Sequence, residues 1–207
     1  MLTRYRLTCA SFLAIVLALG CGTGTELIGV WRDPTYTGKP IASAMVVGVA
    51  RVEDNRKLFE NEVAAQLRGH GVRAVTSYSV LPAGEMTKDQ IVAAVKDAGV
   101  EAVFLTRVKH VDTTMTYVEG SSYVVPQSSY NGYYNYYYQT YQTVNEPGYE
   151  EQALTIVLES NLYAVAGEKL LWSATSETFD PQSTDDAVKS IAGALVDDLK
   201  KQGLVPE

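Results

Sequence analysis

Between Ala44 and Val108 the apolar pattern switches period again and again, and this most constrains the fold. Ala44 to Ala50 is a short apolar run rich in β-branched residues, which predicts a buried strand. Glu53 to Arg68 follows as an amphipathic helix. Phe59, Val63 and Leu67 form its stripe, and Arg56 and Glu60 lie one turn apart beside it. Gly69 and Gly71 stop it. Val72 to Tyr78 reads as a strand. Thr87 and Gln90 have capping-box spacing and open a second helix with Ile91, Ala94, Val95 and Ala98 inward. Gly99 ends that helix, and Val100 to Val108 is a third strand. Three strands joined through helices at this spacing require crossovers, so helices must cover a sheet.

The second half reads differently. Val111 to Val125 is rich in Thr, Tyr and Val and suits a more exposed strand. Residues 126 to 148 are read as loop. Leu154, Ile156, Leu158, Leu162 and Ala164 then point one way along a strand. Ala166 and Gly167 mark a turn, and Lys169 to Phe179 returns as the second arm of a hairpin. Ser183 to Asp186 caps a last helix with Val188, Ile191, Ala192, Leu195 and Leu199 on one face. Lys200 and Lys201 complement its C-terminal dipole, and Gly203 closes it. The expected fold is α/β in the α+β sense: a mixed β-sheet packed with helices, β-α-β-α-β first, then antiparallel strands, a C-terminal hairpin and a C-terminal helix.

The N-terminus carries an address. Arg4 and Arg6 precede an uncharged stretch from Cys9 to Leu19. Its length suits a signal-peptide core and falls well short of the roughly 20 residues that span a bilayer. Leu17, Ala18, Leu19 and Gly20 then lead into Cys21. This resembles the lipobox of bacterial lipoproteins, although Ala18 stands where Leu is usual. The resemblance implies cleavage before Cys21 and acylation of that residue with chains of the palmitate kind, giving a mature lipoprotein with three. Two or more chains hold a protein firmly on a membrane where one does not. Gly22 follows, not the Asp associated with inner-membrane retention, so the implied location is the outer membrane, periplasmic face. Two other readings stay open: an ordinary secretory signal cut near Gly20, or an uncleaved anchor. The expected organisation is a signal peptide at 1–20, a lipidated tether at 21–30, and one periplasmic α/β domain at 31–205 with a Tyr-rich insertion at 123–149.

Composition narrows the classes. The chain has formal charge −7, and loss of Arg4 and Arg6 makes the mature part more acidic. No Lys or Arg run offers a nucleic-acid footprint or a polybasic membrane patch. Cys9 and Cys21 are the only cysteines. A mature domain would hold neither disulfide nor free thiol, and its core alone must stabilise it.

Nine of the fourteen tyrosines fall between Tyr123 and Tyr149. The densest run contains Tyr133, Tyr134, Tyr136, Tyr137 and Tyr138, with Tyr141 close behind. No aliphatic residue stands between Pro126 and Val144, so the segment cannot bury a core of its own and is expected as a long loop. Tyrosine offers a flat ring and a hydroxyl at low conformational cost, which suits contact with protein, carbohydrate or a membrane interface. Three readings stand: a solvated insertion, a binding loop, or a self-associating segment.

Catalytic chemistry is poorly served. His70 sits between two glycines, and His110 is followed by Asp112. Two histidines without cysteine or H-E-x-x-H spacing make a poor metal site. Ser77 and Ser79 are not in a nucleophile elbow. Arg51, Arg56 and Arg107 lie near strand ends, where open sheets bind ligands, but Glu53 and Glu60 offer them salt bridges. The carboxylate pairs Asp185/Asp186 and Asp197/Asp198 read as capping and solvation. Trp31 and Trp172 are expected to pack, Trp172 inward. No enzyme activity and no cofactor are expected.

Several phrases are shared with a known group: Trp31 to Pro34, Val46 to Val49, Arg56 with Phe59 and Glu60, Thr76 to Tyr78 with Leu81 and Pro82, Phe104 to Arg107, and Leu171 to Phe179. Through them the chain resembles, over residues 27 to 205, a family of uncharacterised bacterial lipoproteins carrying a domain of unknown function. More distantly, the element order is similar to periplasmic α/β domains of the TolB N-terminal type and to those of the curli-secretion lipoprotein and of lipoprotein activators of penicillin-binding proteins. That resemblance implies a docking or assembly module. The expected function is a membrane-anchored, non-enzymatic lipoprotein of the cell envelope that binds or scaffolds partners, either an envelope protein or further copies of itself. The alternative is a lipoprotein that binds a small ligand or carbohydrate.

Overall fold

The computed structural model describes residues 24–81, 87–127 and 140–207, with backbone alone at 126–127 and 140–142. Eight strands and three helices run in the order β1 (Thr25–Arg32), β2 (Ser43–Val49), α1 (Glu53–Gly69), β3 (Arg73–Thr76), α2 (Lys88–Ala98), β4 (Ala102–Val118), β5 (Ser121–Gln127), β6 (Thr140–Glu146), β7 (Tyr149–Ala164), β8 (Lys169–Phe179) and α3 (Thr184–Lys201). The main sheet has strand order β1-β8-β7-β4-β2-β3, and β5 pairs with β6. β2 lies parallel to β3 and β4, while β7 is antiparallel to β4 and β8. The expected mixed sheet with its hairpin and C-terminal helix is therefore what forms.

One face of the sheet packs under α1 and α3. Val46, Phe104, Leu162 and Trp172 of the strands meet Phe59, Val63 and Leu67 of α1 and Ile191, Leu195 and Leu199 of α3. Trp172 is fully buried. It stacks on Phe104 with centroids 6.2 Å apart and donates from Nε1 to Asp198 at 2.8 Å. Beside it, β7 and β8 slip register at Leu162/Tyr163, so Leu171 is an extra residue. The bulge lets neighbours Leu171 and Trp172 both go inside. Among the described residues, α2 is the helix that covers the second face, over Met45, Val47 and Val103. The caps read from the sequence are present. Thr87 and Gln90 form a capping box, and Ser183 accepts from the Asp186 amide.

Four expectations need correction. Residues 25–30, placed in the tether, are part of β1, which pairs with β8 from Thr25↔Thr178. A bulge between Leu27 and Gly29 breaks the alternation that would have announced this strand. Trp31 is 46% exposed, because it pairs beside Ser173 on the face that α2 does not reach. The third strand does not stop at Val108 but runs on to Val118. Residues 140–146, read as loop, form β6. Its Thr and Tyr residues favour extended backbone, but its mostly polar sequence lacks the apolar period that marks a strand.

Candidate functional site

Helices follow β2 and β3, so the carboxyl ends of these strands and of β4 gather at one end of the sheet. Open α/β sheets bind ligands at such ends. A buried ion pair fills the place here. Glu60 is fully buried and Arg56 nearly so. Glu60 Oε1 accepts from Arg56 Nε at 3.0 Å, the Gly48 amide at 3.0 Å and Ser77 Oγ at 2.6 Å, and Oε2 accepts from the Tyr78 amide at 3.1 Å. Arg56 also donates to Ser77 Oγ at 2.8 Å and to Glu53 at 3.4 Å. Burying two charges is tolerable only when their hydrogen bonds are filled, as these are. The cluster ties α1 to the ends of β2 and β3. It gives Ser77 no general base, because Glu60 is already held by four donors.

The other chemical candidates are also accounted for. Arg107 pairs with Glu159 at 2.7 Å, and this guanidinium holds the Glu159 carboxyl below its ordinary range. His110 lies 3.3 Å from Asp112 with both side chains exposed. His70 caps the end of α1. Among the described residues, no three of His, Cys, Asp and Glu gather as a metal site, and no helix is long and apolar enough to cross a membrane. Asp33 takes Lys169 at 2.5 Å and the Thr35 amide at 2.8 Å. Those two contacts, Lys169 first, lower its pKa to about 2.

Two features remain that could meet a partner. The first is a cavity of about 640 Å³ between α2 and the sheet, lined by Ile91, Val92, Val95, Val103, Tyr163 and Val165 among others. Lys88 and Lys96 of α2 and Glu168 also border it. Lys88 and Glu168 lie 3.9 Å apart and exposed, too far and too wet to hold the mouth shut.

The second is an arm. Beyond Phe179, which pairs with Thr155, the main sheet narrows to two strands. Thr113–Val118 pair with Tyr149–Leu154 alone, a reach of about 20 Å at ~3.4 Å per residue. A bulge at Lys109, between the pairs Val108↔Leu158 and His110↔Val157, resets the alternation. Val111, Thr113, Met115 and Tyr117 therefore share the face that carries Phe104 and Leu162 further back, but no helix covers them. Met115 is 61% and Tyr117 65% exposed. The arm passes through residues 119–120 and 147–148 into the β5–β6 pair.

Of the residues singled out from the sequence, Cys21 and Tyr133, Tyr134, Tyr136, Tyr137 and Tyr138 lie outside the described residues. Tyr141 is in β6, its backbone opposite Pro126. The arm itself was missed, because Thr113, Thr114 and Thr116 dilute its apolar face. The clue was the length of the uninterrupted extended run after Val100.

No family model matches the chain, and no curated protein does. Among solved structures, the chain is similar to the PelC dodecamer from Paraburkholderia phytofirmans, at 14% identity over 88% of this chain and 99% of that one, with a TM-score of 0.48. It is also similar to the lipoprotein GNA1162 from Neisseria meningitidis, at 16% identity over 77% of this chain and 99% of that one, TM-score 0.43. TolB from Acinetobacter baumannii matches at 12% identity over 86% of this chain and 31% of that one, TM-score 0.36. At these scores no residue role passes from those proteins to this chain.

Proposed function

We propose that this is a non-enzymatic envelope lipoprotein, tethered through acylated Cys21 to the periplasmic face of the outer membrane, whose arm makes the functional contacts. The observation that carries the reading is the arm. A two-stranded ribbon leaves the folded body with Met115, Tyr117, Tyr123, Val124 and Tyr149 exposed and leads into the tyrosine-rich stretch. Isolated ribbons are marginal in water, and this one exposes apolar side chains on both faces, Met115 and Tyr117 on one and Tyr149 on the other, which marks it for contact. The buried polar groups at the strand ends satisfy one another, which leaves them a structural role.

Val118 and Tyr149 are direct partners, so residues 119–148 can be replaced by Asn-Gly, a two-residue hairpin connection. Crosslinking of both chains in the intact envelope tests the reading. The expected result is an unchanged melting profile with loss of the crosslinked species. An identical set of crosslinks from the shortened chain contradicts it.

The second reading, a small-ligand binder, is favoured by the cavity under α2. Its volume falls in the usual range for ligand sites, about 300–1,000 Å³. Its apolar walls beside Lys88 and Lys96 suit an aliphatic anion better than a sugar. Thermal stabilisation by medium-chain carboxylates, abolished by Val95→Trp, supports this reading; no shift with any chain length rejects it.

A further inference from the structure

We infer that the domain tips onto the lipid surface by its arm, with the Met115–Tyr117 face of the arm, beyond the ends of α1 and α3, against the bilayer. The inference rests on the Cys21 tether proposed above, and the geometry then leaves little choice. β1 begins at Thr25, level with Thr178, Ile156 and Val111 across the sheet. The chain therefore leaves toward Cys21 from the same end at which the arm departs. Four residue steps separate Cys21 from Thr25, a reach of at most about 14 Å. The two-stranded part of the arm is about 20 Å long. An arm standing upright on the membrane would hold Thr25 further away than the tether allows. The arm must slope along the surface rather than stand on it.

The distribution of apolar side chains agrees. Among the described residues, the large exposed apolar side chains are Ile28, Val30 and Trp31 on edge strand β1, and a group at the arm end. On the face turned to the bilayer that group has Val108, Val111, Met115 and Tyr117, with Glu150 beside Tyr117; Val49, Phe179 and Tyr149 stand at the same end on the opposite face. Tyrosine and methionine suit the boundary layer, where a ring or thioether meets hydrocarbon and a hydroxyl stays wet. Charge plays a small part. Glu53, Asp54, Asp185 and Asp186 open α1 and α3 at this same end, so anionic lipid gives no attraction. Contact by apolar insertion alone is insensitive to salt, unlike polybasic adsorption.

The test uses the full chain, reconstituted in phosphatidylcholine vesicles with or without brominated acyl chains. Tyr117→Trp reports on the arm, and Lys96→Trp reports on the far end of the sheet. The native tryptophan signal is subtracted with the unaltered chain. Expected is a blue-shifted emission from Tyr117→Trp, quenched at least threefold more than Lys96→Trp and unchanged between 50 mM and 500 mM salt. Intact mass of the same sample reads acylation at Cys21. A lipidated chain in which Tyr117→Trp is no better quenched than Lys96→Trp overturns the orientation alone and leaves the arm as a protein-binding surface. A chain whose Cys21 carries no lipid overturns the tether and this orientation with it.

Discussion

Replacing Arg56 by Met tests the physical account of the strand-end cluster. Arg56→Met keeps much of the side chain's length and removes its charge. Glu60 then retains donors at Gly48, Ser77 and Tyr78 but loses its counter-ion at 3.0 Å. Truncating one partner of a buried ion pair leaves the other charge uncompensated and costs about 3–5 kcal/mol. A domain of this kind has roughly 5–15 kcal/mol in total, so the variant should still fold. With a urea slope near 2 kcal/mol/M, the midpoint should fall by about 2 M. The assay is urea unfolding followed by circular dichroism and by Trp172 fluorescence, with an unchanged slope. In the Arg56→Met background, Glu60→Gln should restore part of the loss, because it removes the stranded charge while its amide oxygen still accepts from Gly48. A loss under about 1 kcal/mol for Arg56→Met, or strict additivity of the two substitutions, would refute the claim that the pair is coupled and dry.

Other consequences can be checked on the same protein. Trp172→Ala empties the centre of the main core and removes a hydrogen bond to Asp198; urea unfolding should show a loss of about 3–5 kcal/mol. Ser183→Ala removes the N-cap of α3 and should cost about 1 kcal/mol, read by thermal melting. Asp33 has its folded pKa lowered to about 2. Its contribution is therefore present above the ordinary carboxylate range and is lost as pH falls toward 2. Asp33→Asn should lower stability at pH 7 and flatten the decline below pH 4, and a decline identical to that of the unaltered chain would contradict this.

The elements legible in the sequence are those whose period is enforced by a one-sided core. α1 and α3 were plain because Phe59, Val63 and Leu67, and Ile191, Leu195 and Leu199, each face the sheet. β2 was plain because Ser43 to Gly48 are buried on both faces. The bulges hid the rest. At Ile28 and Lys109 an extra residue breaks the alternation, so β1 passed for tether and β4 for two separate strands. β5 and β6 carry no core at all. The Arg56–Glu60 pair was foreseeable from i, i+4 spacing. Its closure by Gly48, Ser77 and Tyr78 was not, because those partners come from two strand ends brought together only by the crossovers. The arm's significance depended on knowing that Thr25 and Val111 stand at the same level of the sheet, which local sequence cannot reveal.

The most direct measurement is intact mass and N-terminal mapping of the protein taken from its own membrane fraction. The account predicts a chain beginning at Cys21 with a mass increased by three acyl chains, found in the outer membrane and released from membranes by Cys21→Ser. A chain with an unmodified thiol at Cys21, or one that begins elsewhere and fractionates freely, would contradict the tether on which the arm's role depends.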